Sequence, residues 1–381
     1  DVSALLANAD AAARLIRVLG ASSGLGDFLL RHPDAVNDLV TPLDGPPSDY
    51  GADLLAAVDG LRSDAAWVAL RVRYRRHLVR LTAWDLEHPD PIAAVSEVAA
   101  ALADLAGAAL DASLAVAKRD MKFPAEEVAA TRLAIIGMGK AGARELNYVS
   151  DVDVIFVGEP AELPDGTLLG EDRAVIIATK LAMQTMRGIQ DLSKEPALWE
   201  VDANLRPEGK DGALVRTLES HLAYYDRWAK SWEFQALLKA RPLAGDLELG
   251  QQYVDELAPK VWSSASRENF VESVQRMRER VTENIPAEEL ALQLKLGPGG
   301  LRDVEFTIQL LQLVHGQSDP DVRQVATLPA LEALAVQGYI GRVEGAEFSG
   351  AYRFLRLLEH RIQLSRLRRT HLMPTDPDAL R

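Results

Sequence analysis

The chain has 381 residues, a formal net charge of −14 and no cysteine. This length predicts two or three structural units, the charge argues against nucleic acid as a partner because phosphates would repel the chain, and the lack of cysteine excludes disulfides and thiolate metal sites. The sequence also shows no uninterrupted apolar run of about 18 residues and no basic leader followed by an apolar stretch, so we expect neither a membrane span nor a secretion signal but a soluble cytoplasmic domain.

The first part of the chain, residues 1–120, is predicted to be an N-terminal helical subdomain. Five apolar residues in its first long helix repeat at helical spacing and are expected to face a core. They are Trp67, Leu70, Tyr74, Leu78 and Leu81. An alanine-rich run from Pro91 to Ala117 predicts a second long helix. Several arginines on the first helix are interpreted as a solvated helix face, with an anion or partner contact as the alternative. They are Arg71, Arg73, Arg75, Arg76 and Arg80.

The middle of the chain, residues 121–240, is predicted to be a small mixed α/β unit. Arg132–Gly137 is a short apolar run stopped by glycine, which indicates a buried strand. Asp151–Val157 indicates a second strand, and a helix is expected over Glu171–Leu192. Ala197–Leu205 alternates between apolar and polar residues, which predicts a third strand.

The last part, residues 241–381, is predicted to be a C-terminal helical bundle, and the helical pattern already begins near Leu214. Glycines and a proline make Leu294–Leu301 a loop. Helices are expected over Arg302–His315 and Tyr352–Leu372. An aromatic cluster is expected before this bundle, from Tyr224, Tyr225, Trp228, Trp232 and Phe234. The predicted fold class is therefore α+β and predominantly helical.

Two aspartates on the second strand are the first candidates for chemistry. Asp151 and Asp153 lie at positions i and i+2 and therefore point to one face, while Val152 and Val154 point into a core. Two such carboxylates repel each other, and a divalent cation such as Mg²⁺ removes that cost. Asp202, on the third predicted strand, is the expected third metal ligand, with Glu200 as a weaker rival.

A glycine-rich stretch precedes the aspartates. Gly137, Gly139 and Gly142 allow backbone amides to approach a phosphate closely, and Lys140 adds a point charge. Ser150 is a further phosphate-binding candidate, with a turn cap as its other interpretation. The spacing matches neither a Walker loop nor a Rossmann fingerprint. Glycine turns and DxD pairs are common in ordinary loops, so the prediction depends on the ordered combination of strand, loop, DxD strand and later acid.

Four basic residues downstream are candidates for holding phosphates, each with a plain surface cation as the alternative interpretation. They are Arg206, Lys210, Lys239 and Arg241. Asp303 and Glu305 lie in the first turn of the helix after the glycine loop, where acids ordinarily stabilise a helix N-terminus.

Four sequence blocks carry a resemblance to a known family. GMGKAGARELNYVSDVDVIF is similar to the signature of glutamine synthetase adenylyltransferases, the bifunctional enzymes that add and remove AMP on a tyrosine of glutamine synthetase. VDANLRPEGKDGALVRTL, SWEFQALLKAR and KLGPGGLRDVEFTIQLLQLVHG resemble further blocks of that family, in the expected order. The resemblance runs from Leu19–Ser23 to the end of the chain and implies a DNA polymerase beta-like nucleotidyltransferase core flanked by helical subdomains.

The segment GKAGARELNY resembles the corresponding segment in the first half of these enzymes, the half that removes AMP. The resemblance then implies phosphorolysis: phosphate attacks the AMP phosphorus of adenylylated tyrosine and releases ADP. The interpretation from the residues fits this reaction: Mg²⁺ or Mn²⁺ on Asp151, Asp153 and Asp202 would neutralise charge on the transferring group, the glycine loop would hold phosphate oxygens, and Lys140 or Arg206 would add positive charge. Family members usually carry a basic residue where Asn204 stands, which weakens a phosphate role at that position.

The partners implied by the resemblance are glutamine synthetase, the PII signal protein, phosphate or ADP, and an adenylylating half in the same polypeptide. Two other functions stay open at this point. One is ATP-dependent adenylylation through the same site chemistry, and the other is a regulatory module that docks glutamine synthetase and PII without catalysis. The intact acids Asp151, Asp153 and Asp202 argue against the second alternative.

Overall fold

The structure is a computed structural model that describes residues 8–266, 270, 285–286 and 288–377. Helices dominate it and surround one small mixed sheet, as the predicted α+β class requires. The helices are α1 Ala9–Ala21, α2 Ser23–Arg31, α3 Tyr50–Val58, α4 Ser63–Glu87, α5 Pro91–Asp120, α6 Ala125–Ala129, α7 Gly139–Gly142, α8 Glu171–Gln190, α9 Leu218–Arg227, α10 Ser231–Leu237, α11 Leu247–Ser263, α12 Leu301–His315, α13 Thr327–Val336 and α14 Arg342–Arg366. Short 3₁₀ helices cover Pro33–Leu39, Gly209–Asp211, Ser264–Ser266 and Pro320–Val322. The strands are β1 Thr131–Gly137, β2 Val152–Pro160, β3 Val201–Asp202, β4 Val215–Arg216 and β5 Arg241–Gly245.

Two long helices, α4 and α5, form the centre of the N-terminal region. The five apolar residues predicted to face a core from α4 are all buried. Helix α5 begins with Pro91 at its first position and with the Asp90 carboxylate accepting from the amides of Ile92 and Ala93. Its most apolar window has a mean hydropathy of 1.6, enough by composition to cross a membrane, and 67% of that window is buried inside the protein. This is weak evidence for a span, since buried core helices pass the same test.

The prediction of a solvated arginine face on α4 is wrong for two of its five residues. Arg71 is fully buried and donates to the carbonyls of Gly188, Asp191 and Glu195. Arg75 is also buried and donates to the carbonyls of residues 196 and 197. The segment after α8 has no regular pairing of its own, so these guanidinium groups satisfy carbonyls that would otherwise be buried without a donor. They thereby fix the chain just before β3.

The sheet has the order β3-β2-β1-β5, with β4 also pairing with β2. Strands β1 and β2 are antiparallel, as are β1 and β5, while β3 and β4 run parallel to β2. Successive residues of β2 point to opposite faces, so Phe156 packs with one apolar core and Ile155 with another. Helix α8 contributes Ile177 to the first core, and α11 contributes Tyr253 to the second. The sheet therefore lies between two helical layers.

Several predicted elements differ from the structure. Ala197–Leu205 pairs as a strand only at Val201–Asp202, since Arg71 and Arg75 bind the carbonyls before it. The region after Leu214 is not helical throughout, because β4 and β5 interrupt it. Pro242 lies in β5 at the edge of the sheet, where a missing amide donor is tolerated.

The last helix and the aromatic cluster also differ from their predictions. Helix α14 begins ten residues before Tyr352 and ends at Arg366, because Leu367 adopts a left-handed conformation with φ of 45°. Of the expected aromatic cluster, Tyr225 and Phe234 are buried, whereas Trp228 is 72% exposed. Helix α14 also contacts the N-terminal region, where Ser22 donates to the carbonyl of Leu364 at 2.6 Å.

Candidate functional site

The three predicted carboxylates lie together at one end of the sheet. Asp153 is in β2, and its neighbours Val152 and Val154 are fully buried on the opposite face. Asp202 is in β3 and pairs directly with Asp153 in the parallel register. Asp151 immediately precedes β2 and is two residues before Asp153. Pairing of β2 with β3 therefore places an acid from each strand side by side. We call Asp151, Asp153 and Asp202 the acidic edge.

The acidic edge is electrostatically strained around Asp153. Burial, the carboxylate of Asp151 and that of Asp202 together raise the pKa of Asp153 from 3.8 to about 6, against the opposing effect of Lys295 and Lys140. Like charges held close together disfavour ionisation of one another. A bound cation relieves this kind of cost, so the local electrostatics fit a metal-binding role.

The donor chemistry of the acidic edge fits a hard divalent cation, because carboxylate oxygens are the ligands that Mg²⁺ prefers. Two of its groups have protein partners. The Asp151 carboxylate forms an ion pair with Arg369 at 2.8 Å, and Asp202 Oδ1 accepts from the amide of Asn204 at 2.7 Å. Across the part of the chain that the structure describes, no three His, Asp or Glu side chains are already arranged around one metal position. The carboxylate donors are present, and one of them, Asp151, is paired with Arg369.

The three glycines predicted to cradle phosphate have different surroundings. Gly139 has φ of +50°, and a Cβ there would lie 2.7 Å from Asp153 Oδ2, so only glycine lets the loop approach this carboxylate. A Cβ on Gly142 would lie 1.8 Å from the carbonyl oxygen of Lys239, and one on Gly137 would contact the Leu243 side chain at 3.1 Å. Gly139 thus borders the acidic edge, while the other two permit close packing of the loop against the end of α10 and against β5.

A cleft of about 240 Å³ opens beside Asp153. The glycine loop and Asp153 form one wall, and residues of α10, the 294–300 loop and α12 form the other. The cleft is lined by Gly139, Lys140, Asp153, Leu205, Trp232, Gln235, Ala236, Lys239, Lys295, Arg302, Glu305, Phe306 and Gln309. Cationic groups outnumber acids among these residues. Such a lining suits an anionic ligand.

Lys140 lies in this cleft but has a protein partner. Its Nζ lies 3.0 Å from Oε2 of Glu359, a fully buried residue of α14. Glu359 also accepts from Arg356 at 2.9 Å and contacts His371 Nδ1 at 2.7 Å. Burial lowers the pKa of Lys140 to about 8, and the nearby Glu359 carboxylate opposes that shift. Glu359 is therefore a hub that joins the glycine loop to α14 and to the segment after it.

The other predicted phosphate ligands mostly brace the backbone. Arg206 donates to the carbonyls of residues 203, 210 and 212, and Arg241 donates to those of residues 141 and 142. Lys239 is buried and bonds Glu145 at 2.8 Å. These side chains stabilise loops around the site, and their directions give no support to a phosphate role.

The remaining candidates from the sequence lie around the site and do not form a group with one another. Ser150 is half-buried directly before Asp151, while Lys210 and Glu200 are exposed. Asp303 Oδ2 accepts from the amide of Gly299 at 2.8 Å, so it braces the 294–300 loop.

Two basic residues of the cleft were not predicted from the sequence. Lys295 lies near the start of the 294–300 loop and Arg302 in the first turn of α12, a segment that the sequence indicated only as a loop followed by a helix. A signal was present, since cations on both sides of a glycine-rich loop are typical of anion-binding segments. Nothing in the local sequence showed that this loop faces Asp153, which lies more than 140 positions earlier in the chain.

The chain is similar to known proteins over almost its whole length. A family model described as glutamate-ammonia ligase adenylyltransferase matches residues 12–256, and one described as GlnD PII-uridylyltransferase matches residues 270–381. A relative from Leifsonia xyli subsp. xyli, named bifunctional glutamine synthetase adenylyltransferase/adenylyl-removing enzyme, is 67% identical over 96% of this chain and 37% of its own length. Relatives of the same name from Streptomyces avermitilis and Mycolicibacterium smegmatis are 55% and 50% identical, over 97% and 96% of this chain. The chain spans 35% and 36% of the length of these two relatives.

Proposed function

Because the chain belongs to the glutamate-ammonia ligase adenylyltransferase family, we propose that it removes AMP from an adenylylated tyrosine of glutamine synthetase. The observation that carries this proposal is the parallel pairing of Asp153 with Asp202 beside a cleft rich in basic groups. We propose that this sheet and its glycine loop are a DNA polymerase beta-like nucleotidyltransferase core. An acidic edge and a basic cleft are the two features that transfer of a phosphorus-bearing group requires.

The proposed reaction is a phosphorolysis. An oxygen of inorganic phosphate forms a bond to the phosphorus of the AMP group, while the bond from that phosphorus to the tyrosine oxygen breaks. The products are ADP and free tyrosine, whose oxygen takes up a proton. Both reactants are anions, so the site must offset their repulsion for them to approach.

Asp151, Asp153 and Asp202 would hold the Mg²⁺ or Mn²⁺ ions of this reaction, which when bound would neutralise negative charge on the transferring group. Gly139 keeps the loop close to Asp153 without a steric conflict. Trp232 and Phe306 line the same cleft and supply apolar surface that excludes water from the reacting groups.

Removal rather than addition of AMP is proposed from the segment GKAGARELNY, which resembles the AMP-removing half of the family. The relatives' names include both activities, and the chain spans little more than a third of their length. We therefore propose an adenylylating half elsewhere in the same polypeptide. We also propose PII as a regulatory partner and the cytoplasm as the location.

Two parallel incubations test this function. In the first, the chain is mixed with AMP-modified glutamine synthetase, Mg²⁺ and phosphate, and ADP is measured by chromatography. In the second, unmodified glutamine synthetase and ATP replace the modified protein and the phosphate, and AMP incorporation is measured by mass spectrometry. We expect ADP only in the first. AMP incorporation in the second incubation without ADP in the first would reverse the proposed direction. The absence of both products would contradict a catalytic role.

A further inference from the structure

Lys295 and Arg302 lie side by side at the wall opposite Asp153. The amide of Arg302 donates to the carbonyl of Lys295 at 3.0 Å, and that of Leu301 donates to the carbonyl of Leu294 at 2.9 Å. These two bonds close the 294–300 loop, so that residues seven positions apart become neighbours. Both basic side chains line the cleft that also contains Asp153 and Gly139.

The other basic groups around the cleft are already paired. Lys140 contacts Glu359, Lys239 contacts Glu145, and Arg369 contacts Asp151. By contrast, within the described residues neither Lys295 nor Arg302 has an acidic side chain at ion-pair distance. The Arg302 guanidinium lies over the Phe306 ring at 5.4 Å, which orients it without neutralising its charge.

The loop that carries Lys295 and leads into the helix of Arg302 is held in one shape. A Cβ on Gly297 or Gly300 would lie less than 3 Å from backbone carbonyl oxygens, and Gly299 has φ of +73°. The Gly299 amide also bonds the Asp303 carboxylate at 2.8 Å. A loop fixed in this way presents its cations without a large ordering cost when an anion binds.

Besides Asp153, the acid Glu305 lines the cleft, and its charge is offset from several sides. Lys239, Lys140 and Arg356 lower its pKa despite its burial, and Tyr352 donates to it at 3.1 Å. Glu305 is therefore already compensated before Lys295 is counted. The unpaired cations remain available to a ligand.

We propose that Lys295 and Arg302 bind the inorganic phosphate that attacks the AMP group, across the cleft from the acidic edge. This inference rests on the proposed function and names a subsite of that same site. The Arg302 guanidinium matches two phosphate oxygens in its planar fork, and Lys295 contributes a point charge from the other end of the loop. This arrangement holds the nucleophile on the wall opposite the acidic edge, whose carboxylates would repel it.

The test compares Lys295→Met and Arg302→Met with matched variants at exposed positions of α8 and α14, Lys180→Met and Arg366→Met. Initial rates of ADP formation are measured against phosphate concentration and, separately, against AMP-modified glutamine synthetase. We expect each cleft variant to raise the KM for phosphate about 10- to 100-fold. The KM for the modified protein and the behaviour of both matched variants should stay close to those of the parent. Arg302→Lys should recover part of the loss, since it restores the charge without the fork.

A binding measurement separates this inference from the proposed function. Radiolabelled inorganic phosphate is dialysed to equilibrium against each variant with Mg²⁺ and without glutamine synthetase, and circular dichroism verifies folding. Weaker phosphate binding in both cleft variants supports the subsite even in a chain that forms no ADP. Unchanged phosphate binding and unchanged KM for phosphate in both folded cleft variants would overturn it. A rise in the KM for the modified protein alone would also overturn it, because the two residues would then bind the AMP group.

Discussion

The two walls of the cleft are built in different ways. The acidic edge is fixed by backbone pairing of β2 with β3, which places the carboxylates of Asp153 and Asp202 side by side once the two strands pair. The opposite wall, formed by residues of α10, the 294–300 loop and α12, is held by packing of α12 and α14 and by backbone hydrogen bonds from Leu294 to His371 and from Met373 to Leu292. Glu359 and Arg356 of α14 connect this region to Lys140 and to the loop around Glu145. On the function proposed above, the strands supply the acidic groups of the reaction and the packed wall supplies the cations that bind the attacking phosphate.

The largest expected effect comes from the strand side. Asp153→Asn keeps the size of the side chain and removes its charge, so we expect the rate of ADP formation to fall by about 10³-fold or more. Folding should be preserved, since the change relieves repulsion from Asp151 and Asp202. Glu200→Gln is the control, because Glu200 is exposed beside β3. Activity of Asp153→Asn within tenfold of the parent would remove the acidic edge from the reaction.

A large effect on stability is expected from the hub that joins the two walls. Glu359→Gln leaves Lys140, Arg356 and His371 around a neutral group in a fully buried position. Loss of one partner from a buried ion pair costs about 3 kcal/mol, which urea unfolding measures. Asp104→Asn, at an exposed pair with Arg144, should cost less than about 1 kcal/mol. Equal losses in the two variants would mean that the hub does not hold the walls together.

The strands were the part of the molecule that the sequence predicted best. The apolar, β-branched runs of β1 and β2 have a strong strand pattern, and alternation alone placed Asp151 and Asp153 on one face. The pairing of Asp202 with Asp153 agrees with its prediction, although only two residues of the expected third strand form. Position along a strand is a local property, which explains why these carboxylates were found without knowledge of the fold.

The packed wall was largely missed for the opposite reason. Lys295 and Arg302 acquire their position from contacts across the whole chain, and no spacing rule reports such contacts. Arg71 and Arg75 were misassigned similarly, because their burial depends on unpaired carbonyls in a segment more than 100 residues away. Strand β5 was not predicted, because a five-residue edge strand that contains proline shows no clear alternation of apolar and polar residues.

The pH dependence of stability gives another test of the acidic edge. The pKa of Asp153 is raised from 3.8 to about 6, so the folded protein holds this proton more tightly than the unfolded chain. The penalty for its ionisation is absent below pH 3.8, grows between 3.8 and 6, and is complete above 6. In EDTA, Asp153→Asn should therefore exceed the parent in unfolding free energy by up to about 3 kcal/mol above that interval. A difference that does not change with pH would contradict the repulsion.

A smaller effect is expected from the glycine that borders Asp153. Gly139→Ala introduces a Cβ 2.7 Å from Asp153 Oδ2 at a φ of +50°. We expect a stability loss of about 1 kcal/mol from the backbone and a further fall in ADP formation of about 10- to 100-fold as the carboxylate is displaced. Gly166→Ala is a matched control, because Gly166 has φ of +82° and open space around its Cβ. It should show the stability loss without the loss of activity.

The smallest effect is expected where the C-terminal segment touches the acidic edge. Arg369 pairs with Asp151 at 2.8 Å, and its side chain is 49% exposed, so the pair contributes less than about 1 kcal/mol to stability. Arg369→Gln should leave the urea midpoint nearly unchanged but release the Asp151 carboxylate. We then expect Mn²⁺ to bind about two- to fivefold more tightly, as measured by electron paramagnetic resonance of free Mn²⁺.

Arg368→Gln is the control for this measurement, since Arg368 is exposed and adjacent in sequence. Its loss lowers the positive charge of the segment by the same amount without freeing a carboxylate. If both variants bind Mn²⁺ equally well, the gain comes from general charge and Asp151 is not a ligand. If only Arg369→Gln binds more tightly, Arg369 competes with the metal for Asp151. The packed part of the molecule would then also control how readily the strand side takes up its ion.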